Sequence, residues 1–240
     1  MSVYVHTDEI HSMESPREVV PLVIELLRPS SVLDVGCGTG TWLKAFEENG
    51  VGDVMGIDDH TGHKMVISVN KFVKRDVAKP FFLDRKFDLV LALEVAEHLE
   101  EVHVDAFLKN LVQHGDTILF SAAVPGQGGQ HHVNEQWPDY WRARFAGLGY
   151  RFYDPLRLRL WANDQIQWWY KQNIFVVSKI ELPFDEGSLS LVHPDLFASS
   201  LRTWTHEKES ILSGRHGVFA GLGILFRSLM FKWWTIIGKK

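Results

Sequence analysis

The chain has 240 residues, of which 45% are hydrophobic and 23% are charged, and its formal net charge is −5. Such a length can bury one sizeable core, and the composition is ordinary for a globular protein. The acidic balance lacks the basic surface on which nucleic-acid binding depends, so we expect no nucleic-acid partner. The single cysteine, Cys37, excludes an internal disulfide and favours a cytoplasmic location.

Helices and strands alternate along the first half of the sequence. The first helix is predicted to begin at Ser15, with Ser15 as its N-cap and Pro16 in its first turn. Strand signals follow at 32–35, 54–58, 71–76, 87–93 and 117–121. This order predicts a parallel sheet with helices on both faces. The helix at 101–113 is expected to bury Val102, Phe107, Leu108 and Leu111.

The clearest signal is a short apolar run that ends in an acid and a glycine-rich turn. Its members are Asp34, Gly36, Cys37, Gly38 and Gly40. A helix pattern that contains Trp42 comes next, and strand, glycine turn and helix together form a nucleotide-shaped pocket in α/β folds. A dinucleotide fingerprint would need glycine at position 41, where Thr41 stands, which weakens an NAD or FAD interpretation. A plain strand-to-helix loop is the alternative.

Two more strand signals end in carboxylates. Asp58 and Asp59 lie roughly 20 residues past the glycine turn, the distance at which such folds place an acid on ribose hydroxyls. Charge-assisted hydrogen bonds from both hydroxyls would be strong; Asp58 is the first choice, Asp59 the second, and a solvated turn the alternative. Asp76 and Val77 follow the next strand, where a surface Asp that caps a turn is the alternative.

The fourth strand runs directly into Glu94 and then His98. Strand ends at this edge of the sheet face the ligand. His98 is predicted to bind the acceptor or to take a proton, and it could equally stabilise the start of the following helix. After the fifth strand, a polar loop brings His131, His132 and Glu135 to the same edge, where a rigid scaffold can aim them. A merely solvated loop is the alternative.

Five longer motifs add specificity to these signals. They lie at 36–43, 93–99, 125–129, 133–141 and 168–173. Together they resemble class I S-adenosylmethionine-dependent methyltransferases, in particular a bacterial group often found with glycosyltransferases of surface-polysaccharide synthesis. The resemblance extends from about His11 to Ser178.

This resemblance implies a Rossmann-like α/β fold and S-adenosylmethionine as cofactor. The seven-stranded mixed sheet would have the order 3-2-1-4-5-7-6, with helices on both faces. Its last two strands, here at 150–153 and 174–178, would form an antiparallel hairpin at one edge.

The resemblance also assigns cofactor contacts. The glycine turn would pass beneath the amino-acid part of the cofactor, Asp76 would meet the adenine amino group, and Val77 would donate its backbone N–H to the ring. Asp58-Asp59 departs from the expected Asp-Gly, which leaves open which carboxylate meets the ribose. The predicted cofactor residues are Asp34, Gly36, Cys37, Gly38, Gly40, Trp42, Asp58, Asp59, Asp76, Val77 and Glu94.

The implied reaction is methylation of a sugar hydroxyl. Because a hydroxyl is a poor nucleophile near neutral pH, removal of its proton should accelerate transfer by roughly 10²–10⁴-fold. We predict His132 or His131 as the base, with Glu135 orienting it or holding the sugar and with His98 in reserve. A metal ion on His131, His132 and Glu135 is the alternative. Adjacent histidines in a strand point apart and no second acid-rich cluster is evident, so we predict no metal.

Aromatic residues near the last strand suit a sugar-binding wall. Trp161, Trp168, Trp169 and Tyr170 could stack on a sugar face. Packing of the terminal hairpin in the core is the alternative, which the pattern favours slightly for Trp168.

Three segments are predicted along the chain. They are a methyltransferase domain at 1–180, a linker with short helices at 181–213 and a basic amphipathic helix at 214–240. The last segment suits peripheral contact with an anionic membrane; packing on its own domain or at a dimer interface is the alternative. A glycosyltransferase partner fits the resemblance. Methylation of a polyketide or quinone-type molecule and a catalytically silent cofactor-binding scaffold are the competing functions.

Overall fold

The computed structural model describes residues 12–59, 64–186, 191–213, 217, 221–223 and 225–227. Seven short strands form one sheet. They are β1 Ser31–Val35, β2 Asp53–Asp58, β3 Phe72–Lys74, β4 Leu89–Leu93, β5 Thr117–Ser121, β6 Arg151–Tyr153 and β7 Phe175–Ser178. The sheet order is β3-β2-β1-β4-β5-β7-β6. Only β7 runs antiparallel to its neighbours β5 and β6 within this sheet. The predicted order and the edge hairpin are confirmed.

Helices connect these strands. Their bounds are α1 Glu14–Leu27, α2 Thr41–Glu48, α3 Glu101–His114, α4 Pro138–Gly147, α5 Arg157–Leu160, α6 Trp168–Asn173 and α7 Pro194–Leu212. Single 3₁₀ turns lie at Val69–Lys71 and Ala96–His98.

The first helix begins differently from the prediction. Met13, not Ser15, stands at the N-cap, and its side chain makes no capping bond. Ser15 is buried in the first turn. Its hydroxyl donates to Gln167 Oε1 and accepts from the Gln167 backbone N–H, the latter at 2.9 Å. The serine therefore ties α1 to the segment before α6 instead of capping its own helix.

The core has one layer on each face of the sheet. Neighbouring strand residues alternate between the layers, because successive side chains of a strand point to opposite faces: Leu119 belongs to the layer with α1 and α2, and Ile118 to the layer with α3 and α4. The prediction for α3 is wrong at Val102, which is 77% exposed, whereas Val104 is fully buried. Val104 shares a helix face with Phe107, Leu108 and Leu111; Val102 does not.

The chain forms two compact units, and the boundary between them lies between Leu196 and Phe197. The first unit contains the whole sheet. Helix α7, 19 residues long, lies where a linker with short helices was predicted and continues into the second unit. Most of the predicted helix at 214–240 lies outside the described residues. In the described part of the chain, every helix is too short or too polar to cross a membrane.

Candidate active site

A cavity of about 500 Å³ opens at the carboxyl ends of β1, β2 and β4. Among the predicted residues, most of those proposed for the cofactor and all three histidines line it. The lining includes Gly36, Cys37, Gly38, Trp42, Asp58, Asp59, Asp76, Val77, Glu94, His98, His131 and His132. Asp34, Gly40 and Glu135 are not part of this lining. A volume of this size suits a small-molecule site.

The glycine turn is fixed by backbone bonds to the neighbouring strand. The N–H groups of Gly36 and Cys37 both donate to the Ile57 carbonyl, at 2.8 and 3.1 Å. Gly36 has φ +85°, and a Cβ there would lie 2.4 Å from Val95 Cγ2. Glycine is thus needed at 36 because of the protein's own Val95, in addition to any approach of a ligand.

Asp58 holds the turn from the end of β2. Its Oδ2 accepts the backbone N–H of Gly38 at 2.8 Å. Asp59 follows directly and also lines the cavity. Both candidate carboxylates therefore face the space beside the turn, and the geometry leaves the choice between them to experiment.

Asp76 is engaged with its own turn as well as with the cavity. Its Oδ1 accepts the Ala78 N–H at 3.0 Å, and its Oδ2 pairs with Lys79 at 2.9 Å. The hydrogen bond from Lys79 is the main cause that lowers the pKa of Asp76. The turn-capping alternative is thus observed at Asp76, and its place in the cavity lining is compatible with the adenine contact, which stays a prediction.

Asp34 lies behind the glycine turn, in the middle of the sheet. Its pKa is raised to about 8, first by burial and then by the negative charge of Asp58. Its Oδ2 is buried and has no hydrogen-bond partner in the described part of the structure. Cys37 is also buried, and burial raises the pKa of its thiol. A thiol that resists ionisation is a poor nucleophile, so Cys37 acts as a small filler of the turn.

Glu94 occupies a strained position just after β4. Its φ is +54°, a left-handed conformation that is unfavourable for a side chain with a Cβ. Its carboxylate accepts from Gln127 Nε2 at 2.7 Å and from Asn173 Nδ2 at 3.2 Å. Burial raises the pKa of Glu94, and these hydrogen bonds oppose that rise.

Glu97, which had no predicted role, lies three residues further on. It is completely buried and lines the cavity. Neither of its carboxylate oxygens makes a hydrogen bond of good geometry within the described residues, although the backbone of Ala123 and the carboxyl of Glu94 lie close enough to affect it. Burial, followed by the nearby charge of Glu94, raises the pKa of Glu97 well above its ordinary value.

The polar loop after β5 is organised by Glu135. This carboxylate accepts the N–H groups of Gly126 and Gly128 at 2.7 and 2.8 Å, and it lies 3.0 Å from His132 Nδ1. A Cβ on Gly129 would lie 2.3 Å from His132 Nε2. Glu135 therefore contacts the His132 ring from a position behind the cavity lining, and its predicted role in orienting His132 stays a prediction.

His98 and His132 meet edge to face, with their ring centroids 4.9 Å apart. Burial, then the charge of His132, lowers the pKa of His98 to about 4, against opposing hydrogen bonds to the backbones of His131 and Gln130. His98 is therefore neutral near pH 7. His131 lines the same cavity in a left-handed conformation with φ +57°.

Aromatic rings close one side of the cavity. Trp168, Trp169 and Tyr170 belong to its lining, and Trp42 Nε1 donates to Tyr170 Oη at 3.4 Å. Trp161 instead packs on His193, with ring centroids 4.6 Å apart. Three of the four predicted aromatic residues are thus brought together at the site.

The functional residues that lacked a prediction stand inside motifs already singled out. Glu97 lies in the 93–99 motif, Gln127 in the 125–129 motif and Asn173 at the end of the 168–173 motif. The Glu-x-x-Glu spacing of Glu94 and Glu97 was the available signal. Whether such a pair of carboxylates is solvated or takes part in a binding site depends on its burial, and burial cannot be read from the sequence.

Sheet order, glycine turn and strand-end carboxylates together define a class I methyltransferase domain. The residues fit S-adenosylmethionine: a glycine turn that leaves room beside the backbone, carboxylates at the end of β2 that line the cavity, and an adjoining polar pocket. A solved structure of the same fold, CalS10 from Micromonospora echinaspora, an amino pentose methyltransferase, has this cofactor bound; it has a TM-score of 0.50 and 14% identity, and the match covers 75% of this chain and 99% of that one. S-adenosylmethionine is the cofactor of this domain.

The chain belongs to the methyltransferase domain family, whose model matches residues 11–165. Streptomyces venezuelae DesVI has a similar structure, with a TM-score of 0.52 and 16% identity over 70% of this chain and 92% of that one. Ribosomal protein L11 methyltransferase of Lactobacillus johnsonii is 35% identical over 113 residues, which are 43% of this chain and 35% of that protein. The chain thus matches only about a third of that curated relative.

Proposed function

We propose that the protein transfers a methyl group from S-adenosylmethionine to a hydroxyl of a saccharide or glycoconjugate. The observation that carries this proposal is the His132–Glu135 pair, 3.0 Å apart, at the end of the cavity opposite Asp58 and Asp59 along the sheet edge. It supplies an oriented proton acceptor where the acceptor molecule would enter.

S-adenosylmethionine, when bound, supplies an electrophilic methyl group on a sulfonium. The main task of the protein is then to align an oxygen with that methyl group, which in ideal systems contributes roughly 7–11 kcal/mol. In the metal-free site, His132 takes the hydroxyl proton at Nε2 because Nδ1 faces Glu135. With the cofactor bound, the hydroxyl oxygen would form the new bond to the methyl carbon, and the electron pair of the broken bond would stay on sulfur.

A saccharide suits the walls of the acceptor end. Trp168 and Trp169 offer aromatic faces, and Gln130 adds a polar side chain to the same lining. CalS10, by its description, acts on an amino pentose, which is a reason to test sugars before other acceptors. A polyketide or quinone-type molecule is the competing acceptor.

The decisive experiment uses the full-length protein, labelled S-adenosylmethionine and a bacterial glycan extract, with mass spectrometry of the products. We expect a labelled methyl ether on a sugar. Label that appears only on polyketide or quinone acceptors would overturn the saccharide assignment. Binding of S-adenosylmethionine without formation of S-adenosylhomocysteine with any acceptor would instead indicate a catalytically silent scaffold.

We also propose that the carboxyl-terminal segment contacts an anionic membrane and so brings the enzyme to lipid-linked glycans and to a glycosyltransferase partner. The support is compositional: residues 214–240 contain basic and apolar residues and no acid. Reversal of charge at Arg227 and Lys232 in the full chain should weaken sedimentation with phosphatidylserine vesicles. Unchanged sedimentation would count against membrane contact.

A further inference from the structure

Three side chains able to ligate a metal ion meet at the acceptor end of the cavity. One ligand atom from each of Glu97, His98 and His132 lies within 4.8 Å of the other two. This set shares only His132 with the metal alternative considered from the sequence, which combined His131, His132 and Glu135.

Glu97, the carboxylate of this set, is buried without the well-formed hydrogen bonds that buried polar groups normally make. Glu97 has no exposed surface, it faces the cavity, and neither of its oxygens makes a hydrogen bond of good geometry within the described residues, although the backbone of Ala123 and the carboxyl of Glu94 lie close to it. A buried carboxyl without a well-formed hydrogen bond is costly, and such groups are usually paired or bound to metal. Glu97 therefore points to a missing positive ligand.

The imidazole of His132 is oriented so that it can bind the same cation. Its Nδ1 lies 3.0 Å from Glu135 Oε1, so Nδ1 donates its proton to the carboxylate and Nε2 presents a lone pair. A carboxylate behind a histidine is the usual support of a metal-bound imidazole, because it fixes the tautomer and the ring orientation.

Backbone hydrogen bonds connect the segments that carry these three side chains in the absence of any ion. The N–H groups of Val133 and Asn134 donate to the Glu97 carbonyl at 2.9 and 3.0 Å. The loop that carries His132 is thereby fastened to the 3₁₀ turn that carries Glu97 and His98. Such preorganisation is the main requirement for a selective metal site.

We propose that Glu97, His98 and His132 bind a divalent transition-series cation at the acceptor end of the cavity. Two imidazoles and one carboxylate favour ions such as Mn²⁺ or Zn²⁺ over Mg²⁺ and Ca²⁺, which prefer oxygen ligands. Three protein ligands leave further coordination positions for the acceptor.

The consequence for transfer rests on the proposed function. A cation beside the acceptor oxygen acidifies the hydroxyl, as metal ions do for water. The proton then goes to water while the oxygen takes the methyl group. In the loaded protein His132 acts as a ligand, because its single free lone pair on Nε2 cannot serve both the cation and the proton.

The test is titration of the full-length protein with Mn²⁺, followed by electron paramagnetic resonance, without S-adenosylmethionine or an acceptor. We expect one bound ion per chain, displaced by Zn²⁺. Glu97→Gln and His98→Ala should each raise the Kd for Mn²⁺ by at least about tenfold. The exposed residues Glu100 and His206 provide matched controls, and Glu100→Gln and His206→Ala should leave the Kd within about twofold of the wild-type value.

A second measurement keeps the proposal falsifiable if a variant does not fold. In the wild-type protein, Mn²⁺ should broaden the imidazole NMR signals of His98 and His132 before those of other histidines. Absence of stoichiometric Mn²⁺ binding, or broadening centred on other histidines, overturns the metal site. Because the titration needs no acceptor, failure of sugar methylation would leave its outcome unaffected.

Discussion

The two ends of the cavity differ in how their polar groups are satisfied. At the cofactor end, Asp58 accepts the Gly38 N–H and Asp76 pairs with Lys79. At the acceptor end, Glu97 is buried without a hydrogen bond of good geometry among the described residues, and the adjoining Glu94, a predicted cofactor residue, is held at φ +54°. A cofactor found in every reaction cycle needs a stable cradle. The acceptor end stores strain and unpaired polarity, which a ligand must relieve.

The largest effect is expected for His132→Ala. Loss of the proton acceptor, or of the cation ligand, should lower kcat by about 10²–10⁴-fold. The Kd for S-adenosylhomocysteine should change little, because His132 lies at the acceptor end. Methyl-transfer rates and calorimetric titration give the two numbers. His103→Ala on the exposed face of α3 is the control. An unchanged kcat would remove His132 from the reaction.

Asp34→Asn should stabilise the protein relative to the wild type, by an amount that grows as the pH rises toward 8. The folded-state pKa of Asp34 is raised from 3.8 to about 8, so the folded protein binds the extra proton between these values. Stability of the wild type should therefore fall across this window and level off above it. Asparagine removes this loss, which should be on the order of 5 kcal/mol at pH 8.

Urea unfolding of both proteins at pH 5 and pH 8 measures the change. The difference in the free energy of unfolding should widen toward pH 8. Asp53→Asn is the control, because Asp53 is half-exposed and paired with Arg85 at 2.6 Å. A difference independent of pH would show that Asp34 is ionised in the folded protein, and would contradict the expected cost of its burial.

Asp58→Asn should weaken cofactor binding by about 10–100-fold, the effect of losing a charge-assisted bond worth about 1.5–3 kcal/mol. The asparagine oxygen can still accept the Gly38 N–H, so the turn should keep its shape. Asp59→Asn is the matched variant at the neighbouring position. Calorimetry with S-adenosylhomocysteine decides between them: a larger loss at Asp59 would reverse the assignment of the ribose carboxylate.

The sheet could be predicted from the sequence because its signals are local. Each strand is a short apolar run bounded by turn residues, and the family resemblance orders the runs. The error at Ser15 has a different origin. Its hydroxyl is bonded to Gln167, 152 residues away, and no local pattern reveals such a partner. The error at Val102 arose because apolar residues also stand beside the buried face of the helix, and helix periodicity alone does not show which of them is buried.

Many residues that line the candidate site could be predicted from the sequence, but Glu97 and Gln127 were missed and the protonation of the titratable groups could not be predicted. The residue types and spacing of the glycines, strand-end acids and histidines predicted a binding site at this edge of the sheet. The raised pKa of Glu97 and the lowered pKa of His98 depend on burial by loops that converge from distant segments. For the same reason the sequence suggested His131, His132 and Glu135 only as an alternative metal-binding set, against the prediction of no metal, whereas the fold brings Glu97 and His98 to His132.

Tyr150→Phe should have the smallest effect and should separate stability from the site. The Tyr150 hydroxyl donates toward the carbonyls of Gly115 and Val112, at 2.8 and 3.1 Å. Burial, then the charge of Asp116, raises its pKa to about 12, so it stays a donor throughout the working range. Loss of the hydroxyl should cost about 1 kcal/mol in urea unfolding. Because Tyr150 is not part of the cavity lining, kcat and the cofactor Kd should be unchanged. A change in either would mean that both ends of the cavity respond to packing under α3, and that they are less independent than their hydrogen bonds indicate.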